Sequence, residues 1–477
     1  MKYKVAIVAD DFSSVTDCGV QFSKKGLSTA ALMNLPDKLP EAELISVDTE
    51  SRPLTLNQAY NATYHIAAAL KEAGCEHVYK SIDSTMRGNI GAELDAMMDA
   101  FGYKKVLLTP AFPHYGRQVI DGRHYLNGVP INESPIGKDP ITPVTKADML
   151  ELMEDQSTKE YARVPLDELR KGAKACADYS EALFADGKEV LIFDCETEDD
   201  LKVISDIAYL IPDAMVCGST GLAQYMADGW KLSNPDFEDR MQPEDGRVII
   251  AAASASPITR EQIKTLTSRC NVKPIELDIW KLKEEIESDS QVAGCEKTQN
   301  AGCGEKTNSK QDTGSDETYY DDILAAFAEG MDVALFLDST PEGRERISAE
   351  AEEKGVSKTE LPKLIVKLVG TLVKKVSDNS MNSCSDKNTD SCKAEKEGNN
   401  SKSVNYKLAG ILMTGGDTAL AVCKELGAYG MELETEAEPG IPMGRLLGET
   451  KVIACIKAGA FGSPEAMIAA RQKMTGR

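Results

Sequence analysis

The sequence predicts an α/β protein of two domains, each with a mostly parallel sheet flanked by helices, and an active site in the cleft between them. Three observations carry that expectation. Apolar runs of strand length alternate with amphipathic helical stretches through nearly all of the 477 residues, the pattern of layered α/β folds. At roughly 150 residues per domain, the length suits two or three domains. The alternation lapses at SNPDFEDRMQPEDGR (233–247) and then resumes. The expected division is therefore a first α/β domain over 1–232, a linker over 233–247 and a second α/β domain over 248–477.

Tyr3–Ala9 reads as the first strand and Leu44–Val47 as another. Leu56–Ala73 reads as a helix stopped by Gly74, since glycine tolerates the left-handed turn that ends helices. His77–Ile82 is an expected strand, Asn89–Phe101 a helix and Lys105–Thr109 a strand. Glu189–Phe193 and Ala214–Cys217 continue the strand series, with helices over Asp199–Leu210 and Gly221–Asp228. In the second half, strands are expected at Val248–Ala253, Pro274–Leu277, Asp332–Leu337, Leu408–Met413 and Val452–Ile456, and a helix from Pro257.

The composition, 42% hydrophobic and 27% charged, is that of an ordinary globular chain. Lys and Arg number 54 against 77 Asp and Glu, a net charge of −23. Such a surface repels nucleic acid and anionic lipid, so neither is an expected partner. No run approaches the ~20 apolar residues of a membrane span, and MKYKVAIVADD reads as a strand instead of a signal peptide. Twelve cysteines occur without a CxxC pair. Cys75, Cys195, Cys217, Cys423 and Cys455 lie in apolar segments, as small hydrophobes do, and a reducing cytoplasm is the expected compartment. The polar stretches 288–318 and 377–404 are expected to be disordered insertions. Their cysteines, Cys295, Cys303, Cys384 and Cys392, fit no zinc spacing, and no metal site is expected.

Ligands of open α/β sheets gather at the carboxyl ends of strands, and four such ends carry unusual residues. ADDFSSVTDCG (9–19) places Asp10 and Asp11 at the first exit, where a carboxylate can take a hydroxyl proton, hold magnesium, or cap the next helix. KSIDSTMRG (80–88) gathers Lys80, Asp83, Ser84 and Arg87 before a helix whose N-terminus favours anions. After the strand Leu44–Val47, the planar fork of Arg52 suits bidentate binding of a carboxylate. PAFPHYGRQVIDGRHY (110–125) is locally basic, and His114 and His124 are given structural roles. MTGGDTALAV (413–422) reads as a nest of backbone amides for phosphate, with Asp417 or Thr418 capping its helix or reaching a nucleotide. KAGAFG (457–462) and ASASPIT (253–259) are two further exits of the same kind. Neither a GxxxxGK[ST] loop nor an HRD kinase motif is present.

Taken in order, ADDFSSVTDCGVQFSKKG, KSIDSTMRGNIGAEL, PAFPHYGRQVIDG, GSTGLA, SASPIT, TGGDTA and PGIPMG…KAGAFG resemble the four-carbon acid sugar kinase family over nearly the whole chain except the two polar stretches. DFSSVTDCGVQFSKKG and IKAGAFG are closer to its D-threonate kinases than to its 3-oxo-tetronate or D-erythronate kinases. The resemblance implies an ATP-dependent kinase acting with Mg2+ on the terminal hydroxyl of a four-carbon sugar acid. It implies acid contacts from Asp11, Arg52, Lys80, Ser81, Ile82, Asp83 and Ser84, to which the 80–88 loop adds Arg87. Nucleotide contacts are implied from Ser256, Gly415, Gly416, Asp417, Thr418, Gly459, Ala460, Phe461 and Gly462. Asp11 and Asp83 stand as alternative general bases, and the carboxylate clamp is expected from Arg52 and Lys80. Ser13-Ser14, Ala253 and Ala460 depart from the family's residues at tight turns, and added Cβ atoms there bear on the substrate more than on the reaction. A nucleotide-dependent oxidoreductase and a non-catalytic sugar-acid sensor are the readings from other classes; the first lacks a GxGxxG after the opening strand. A homodimer is compatible with the family.

Overall fold

Strands such as YKVAIVA are apolar on both faces, and this is the composition of a parallel strand covered by helices on each side. In the computed structural model, which describes residues 3–139, 141–238, 241–254, 256–298, 318–385, 405–459 and 461–477 (backbone only for 290–298 and 381–385), Tyr3–Ala9 is the buried strand expected. The chain divides into two compact units. One comprises residues 1–240 with Tyr429–Glu436, the other Met241–Ala428 with Ala437–Arg477.

The first unit holds a sheet in the order Ala428–Glu436, Thr29–Leu32, Leu44–Asp48, Tyr3–Ala9, Cys75–Ser81, Met215–Gly218, Val106–Thr109, Val190–Phe193 and Tyr161–Val164. Its pairings are parallel, except that Ala428–Glu436 runs antiparallel to Thr29–Leu32, with Met431 opposite Ala31. Phe22, Leu44, Tyr79, Leu107, Leu191 and Phe193 are among the side chains buried in its core. A small antiparallel sheet, Arg117–Ile120, Arg123–Leu126 and Val129–Pro130, stands apart from the main one.

The second unit has the order Val272–Glu276, Asp332–Phe336, Arg247–Ala252, Leu408–Thr414, Ile453–Lys457 and Pro442–Gly448. All but the last of these pairs parallel. Val248, Ile250, Leu266, Leu412, Ile453 and Met467 lie in its core. Within each unit the parallel register brings successive strand exits to one edge of the sheet.

The segments expected to be disordered differ from that reading where they are described. The helix Ile279–Thr298 and the helix Leu361–Ser385 run into them. Ser377 and Ser380 are buried, and the Ser380 hydroxyl accepts from the Leu408 amide at 3.0 Å. A helix anchored upstream by Leu372, Val373 and Val376 gains a hydrogen bond per added residue, so it propagates past its apolar stripe. Residues 299–317 and 386–404, with Cys303 and Cys392, lie outside the described residues. Cys195, Cys217, Cys423 and Cys455 are buried free thiols, and Cys75 is half-buried. Among the described residues no helix is long and apolar enough to cross a membrane.

Candidate active site

In the first unit the exits of Tyr3–Ala9, Leu44–Asp48 and Cys75–Ser81 sit side by side because those three strands pair in register. Asp11 caps the Phe12–Ser23 helix, its Oδ1 accepting from the Ser14 amide at 2.7 Å and its Oδ2 from the Ser13 hydroxyl at 3.0 Å. Arg52 does grip a carboxylate with both arms of its fork, and that carboxylate is the protein's own. Nε donates to Asp10 Oδ2 at 2.8 Å and Nη2 to Asp10 Oδ1 at 2.9 Å, while Nη1 pairs with Asp11 Oδ2. All three guanidinium nitrogens are engaged, so the expected clamp on a substrate carboxylate is not open at Arg52 in this arrangement.

Lys80 likewise departs from the expected role. Its side chain is fully buried and its ammonium bonds Glu93 Oε2 at 2.8 Å and the Ser81 carbonyl at 2.7 Å. The other Glu93 oxygen accepts from the Ser51 hydroxyl at 2.7 Å, and Ser51 in turn meets Thr49 at 2.6 Å. An isolated buried ammonium is costly, so it is held where a carboxylate and a carbonyl both reach it. The pair fastens the Lys80 strand exit to the 49–52 turn, a structural task. Ser81 and Ile82 are buried, and Ser81 Oγ lies 3.1 Å from Cys18 Sγ.

Asp83 is placed as a chemical group. Its Oδ2 accepts from the Thr85 hydroxyl at 2.6 Å and from Arg87 Nε at 2.5 Å, and no donor reaches Oδ1 among the described residues. Burial alone would raise its pKa, but Arg87 and Arg52 outweigh that and hold it well below the usual carboxylate range. Asp11 is also lowered, because the Arg52 charge and the Ser14 bonds overcome its burial. Asp10 goes the other way: burial lifts it to about 6 despite Arg52. Gly88, at φ +99, lets the loop pass this cluster; a Cβ there would lie 3.0 Å from Asp10 Oδ2. Asn89 ties the loop to the neighbouring exit by donating to the Ser51 and Leu54 carbonyls at 3.1 and 2.9 Å. Ser84 is half-buried beside it.

In the second unit three strand exits converge. The Gly415 amide donates to the Lys457 carbonyl at 2.8 Å, which joins the TGGD turn to the KAGAFG loop. A Cβ on Gly459 would lie 3.0 Å from Ser254 Oγ and 3.4 Å from Ser256 Cβ, so these two serines pack directly against Gly459. Gly415 has φ +92 and no side chain caps the Gly416–Glu425 helix, which leaves the Gly416, Asp417 and Thr418 amides without acceptors among the described residues. Such amides at a helix N-terminus form an anion site. Asp417 is exposed and Thr418 buried. Ala460 lies outside the described residues; Phe461 and Gly462 sit on carbonyls held by Gln262, whose Nε2 donates to both at 3.1 and 3.2 Å. Beside Ser254 and Thr259 a cavity of about 240 Å3 is walled by Ile263, Pro274, Phe336 and Leu337.

Sequence reasoning missed Glu93, Gln262 and Lys457. Lys457 ends an otherwise apolar strand, IACIK, and its fully buried ammonium bonds the carbonyls of Ala458, Gly459 and Phe461 at 2.9 to 3.4 Å. Burial lowers its pKa to about 8. A lone lysine closing an apolar strand was the available signal. Glu93 gave none, since glutamate is a common helix residue.

Comparison with known proteins matches the chain to two family models. A family described as a sugar-binding N-terminal domain matches residues 5–226, and one described as a nucleotide-binding C-terminal domain matches 400–467. D-threonate kinase of Salmonella typhimurium LT2 is 27% identical over 471 residues, 96% of each chain. D-erythronate kinase of Heliobacterium modesticaldum is 25% identical over 487 residues, 97% of this chain and 95% of the relative. A solved Salmonella typhimurium LT2 structure shares the fold at a TM-score of 0.74, with 20% identity and coverage of 98% of this chain and 99% of that one. With one matched domain for sugar and one for nucleotide, and kinase relatives that span both, the chain belongs to the four-carbon acid sugar kinase family.

Proposed function

We propose that this protein transfers the γ-phosphoryl group of ATP to the terminal 4-hydroxyl of a four-carbon sugar acid of the D-threonate kind. The observation that carries the reading is Asp83, an ionised carboxylate with one oxygen fixed by Thr85 and Arg87 and the other open. Phosphoryl transfer asks mainly for positioning and charge neutralisation. Asp83 Oδ1 accepts the proton of the 4-hydroxyl as the hydroxyl oxygen bonds the γ-phosphorus and the bond from that phosphorus to the β-phosphate oxygen breaks, leaving ADP. Asp11 has both oxygens committed to the helix cap and to Arg52, which favours Asp83 as the base and gives Asp11 and Arg52 the task of fixing the site around it.

The Gly416–Thr418 amides are suited to the phosphates, and Gly459, Phe461 and Gly462 with Ser256 supply the adjoining wall. Magnesium carried on phosphates takes only one or two protein carboxylates, and Asp417, exposed at the start of the nucleotide helix, is the residue that would supply one. The ion would neutralise charge on the transferring group.

The test is an ATP-coupled assay of threonate, erythronate and their 3-oxo forms, with the product's phosphate position read by NMR. A 4-phosphate made fastest from D-threonate is the expected result. Preference for erythronate or a 3-oxo acid would move the substrate within the family, and ATP consumption without a phosphorylated acid would remove the kinase reading.

A further inference from the structure

The acid site holds four cationic side chains near Asp83, and three are already satisfied. Lys80 is paired with Glu93, Arg52 with Asp10 and Asp11, and Arg87 with Asp83. Arg117 is different. No carboxylate lies within ion-pair distance of it among the described residues; Nη1 donates to the Tyr115 carbonyl, and Nε is buried with no acceptor. Burial pulls its pKa down although the Asp83 charge reaches it. This is a half-buried guanidinium, lying 5.8 Å from the centre of the Tyr115 ring and without a carboxylate partner.

His124 lies on the same hairpin. Val119 pairs with His124 and Arg117 with Leu126. Residues two apart on a strand share a face, and so do directly opposed residues, so Arg117 and His124 project from one face as diagonal neighbours. His124 is fully buried, yet neither ring nitrogen makes a hydrogen bond of ordinary length and angle. The Asp83 charge and the Ser84 carbonyl both act on the ring, which places this face against the 80–88 loop, and burial keeps the imidazole neutral at pH 7. Buried polar groups are nearly always satisfied. Two orphans on one face, beside the proposed base, are what a site missing its ligand leaves behind.

We propose that Arg117 and His124 form the acid-recognition subsite, with Arg117 receiving the carboxylate of the four-carbon acid and His124 hydrogen-bonding one of its hydroxyls. A guanidinium matches a carboxylate in two parallel bonds, and a neutral imidazole can both donate to and accept from a hydroxyl. The assignment rests on the kinase reading above and names the residues that select an acid over an uncharged polyol.

The experiment measures D-threonate and D-threitol binding by calorimetry without nucleotide, along with KM for acid and for ATP and the melting temperature, for wild type, Arg117→Met, Arg117→Lys and His124→Phe. Arg117→Met is expected to weaken threonate at least about 30-fold and to abolish the preference over threitol, with ATP KM unchanged; Arg117→Lys should restore part of that preference. His124→Phe is expected to weaken threonate about 5-fold while melting no lower than wild type, since it removes an unsatisfied buried group. A merely structural histidine would instead leave threonate binding untouched. If wild type binds threonate and both apolar variants bind it equally well, the subsite is refuted and the kinase reading stands. A wild type that binds no four-carbon acid overturns both.

Discussion

Arg52 and Asp10 form a two-pronged ion pair, 2.8 and 2.9 Å long, across 42 residues of sequence. Asp10 is almost wholly buried and its partner mostly so. Removing one member of such a pair strands the other. Arg52→Met is therefore expected to destabilise the protein by about 3–5 kcal/mol, with turnover lost through the displaced Asp11 cap. Urea denaturation followed by circular dichroism checks the first part; a change below about 1 kcal/mol would make the pair no stronger than a surface one.

Asp83→Asn keeps the shape of the proposed base and removes its proton affinity. Turnover should fall by about 100-fold or more, with the affinity for a non-hydrolysable ATP analogue unchanged. Rapid-quench kinetics under saturating substrates measure the step directly, and near-wild-type rates would return the role to Asp11.

Gly459→Val places atoms where Ser254 Oγ and Ser256 Cβ already stand. Overpacking of this kind typically costs about 1–3 kcal/mol, and here the displaced segment is the proposed nucleotide wall. Calorimetry should show weaker ATP-analogue binding with threonate affinity intact. An unchanged nucleotide affinity would detach this loop from the nucleotide site.

His124 sets a sign for acid stability. The unfolded imidazole takes up its proton near the ordinary 6.5, whereas the folded one stays neutral until about pH 4. The unfolded state thus binds more protons between those values, and stability falls as pH drops through that window by about 3 kcal/mol. His124→Phe lacks the group and should lose less stability between pH 6.5 and 4. Denaturation midpoints at half-unit pH steps decide it; parallel curves for the two proteins would refute the burial of a neutral ring.

Local chemistry was legible in the sequence where it was local. Leu56–Ala73 is a helix over the residues its periodicity marked, with Gly74 ending it at φ +82, and Asp11 does cap the helix that follows it. What could not be read is pairing over distance. The fork of Arg52 announced a carboxylate without saying that Asp10 would be the one. Lys80 reads as half of a carboxylate clamp at a strand exit until Glu93, on a helix 13 residues later, is seen to meet it inside. The orphan nitrogens of His124 depend on hairpin register, which PHYGRQVIDGRHY does not display.

The edge strand Ala428–Glu436 has one further implication. Contributed by the distant C-terminal portion, it completes the first unit by covering the outer side of Thr29–Leu32. A fragment cut after residue 240 would bare that row of amides and carbonyls, a template for sticking to other chains. Halves expressed separately should be poorly behaved alone and regain solubility on mixing, much as a missing stave restores a cask.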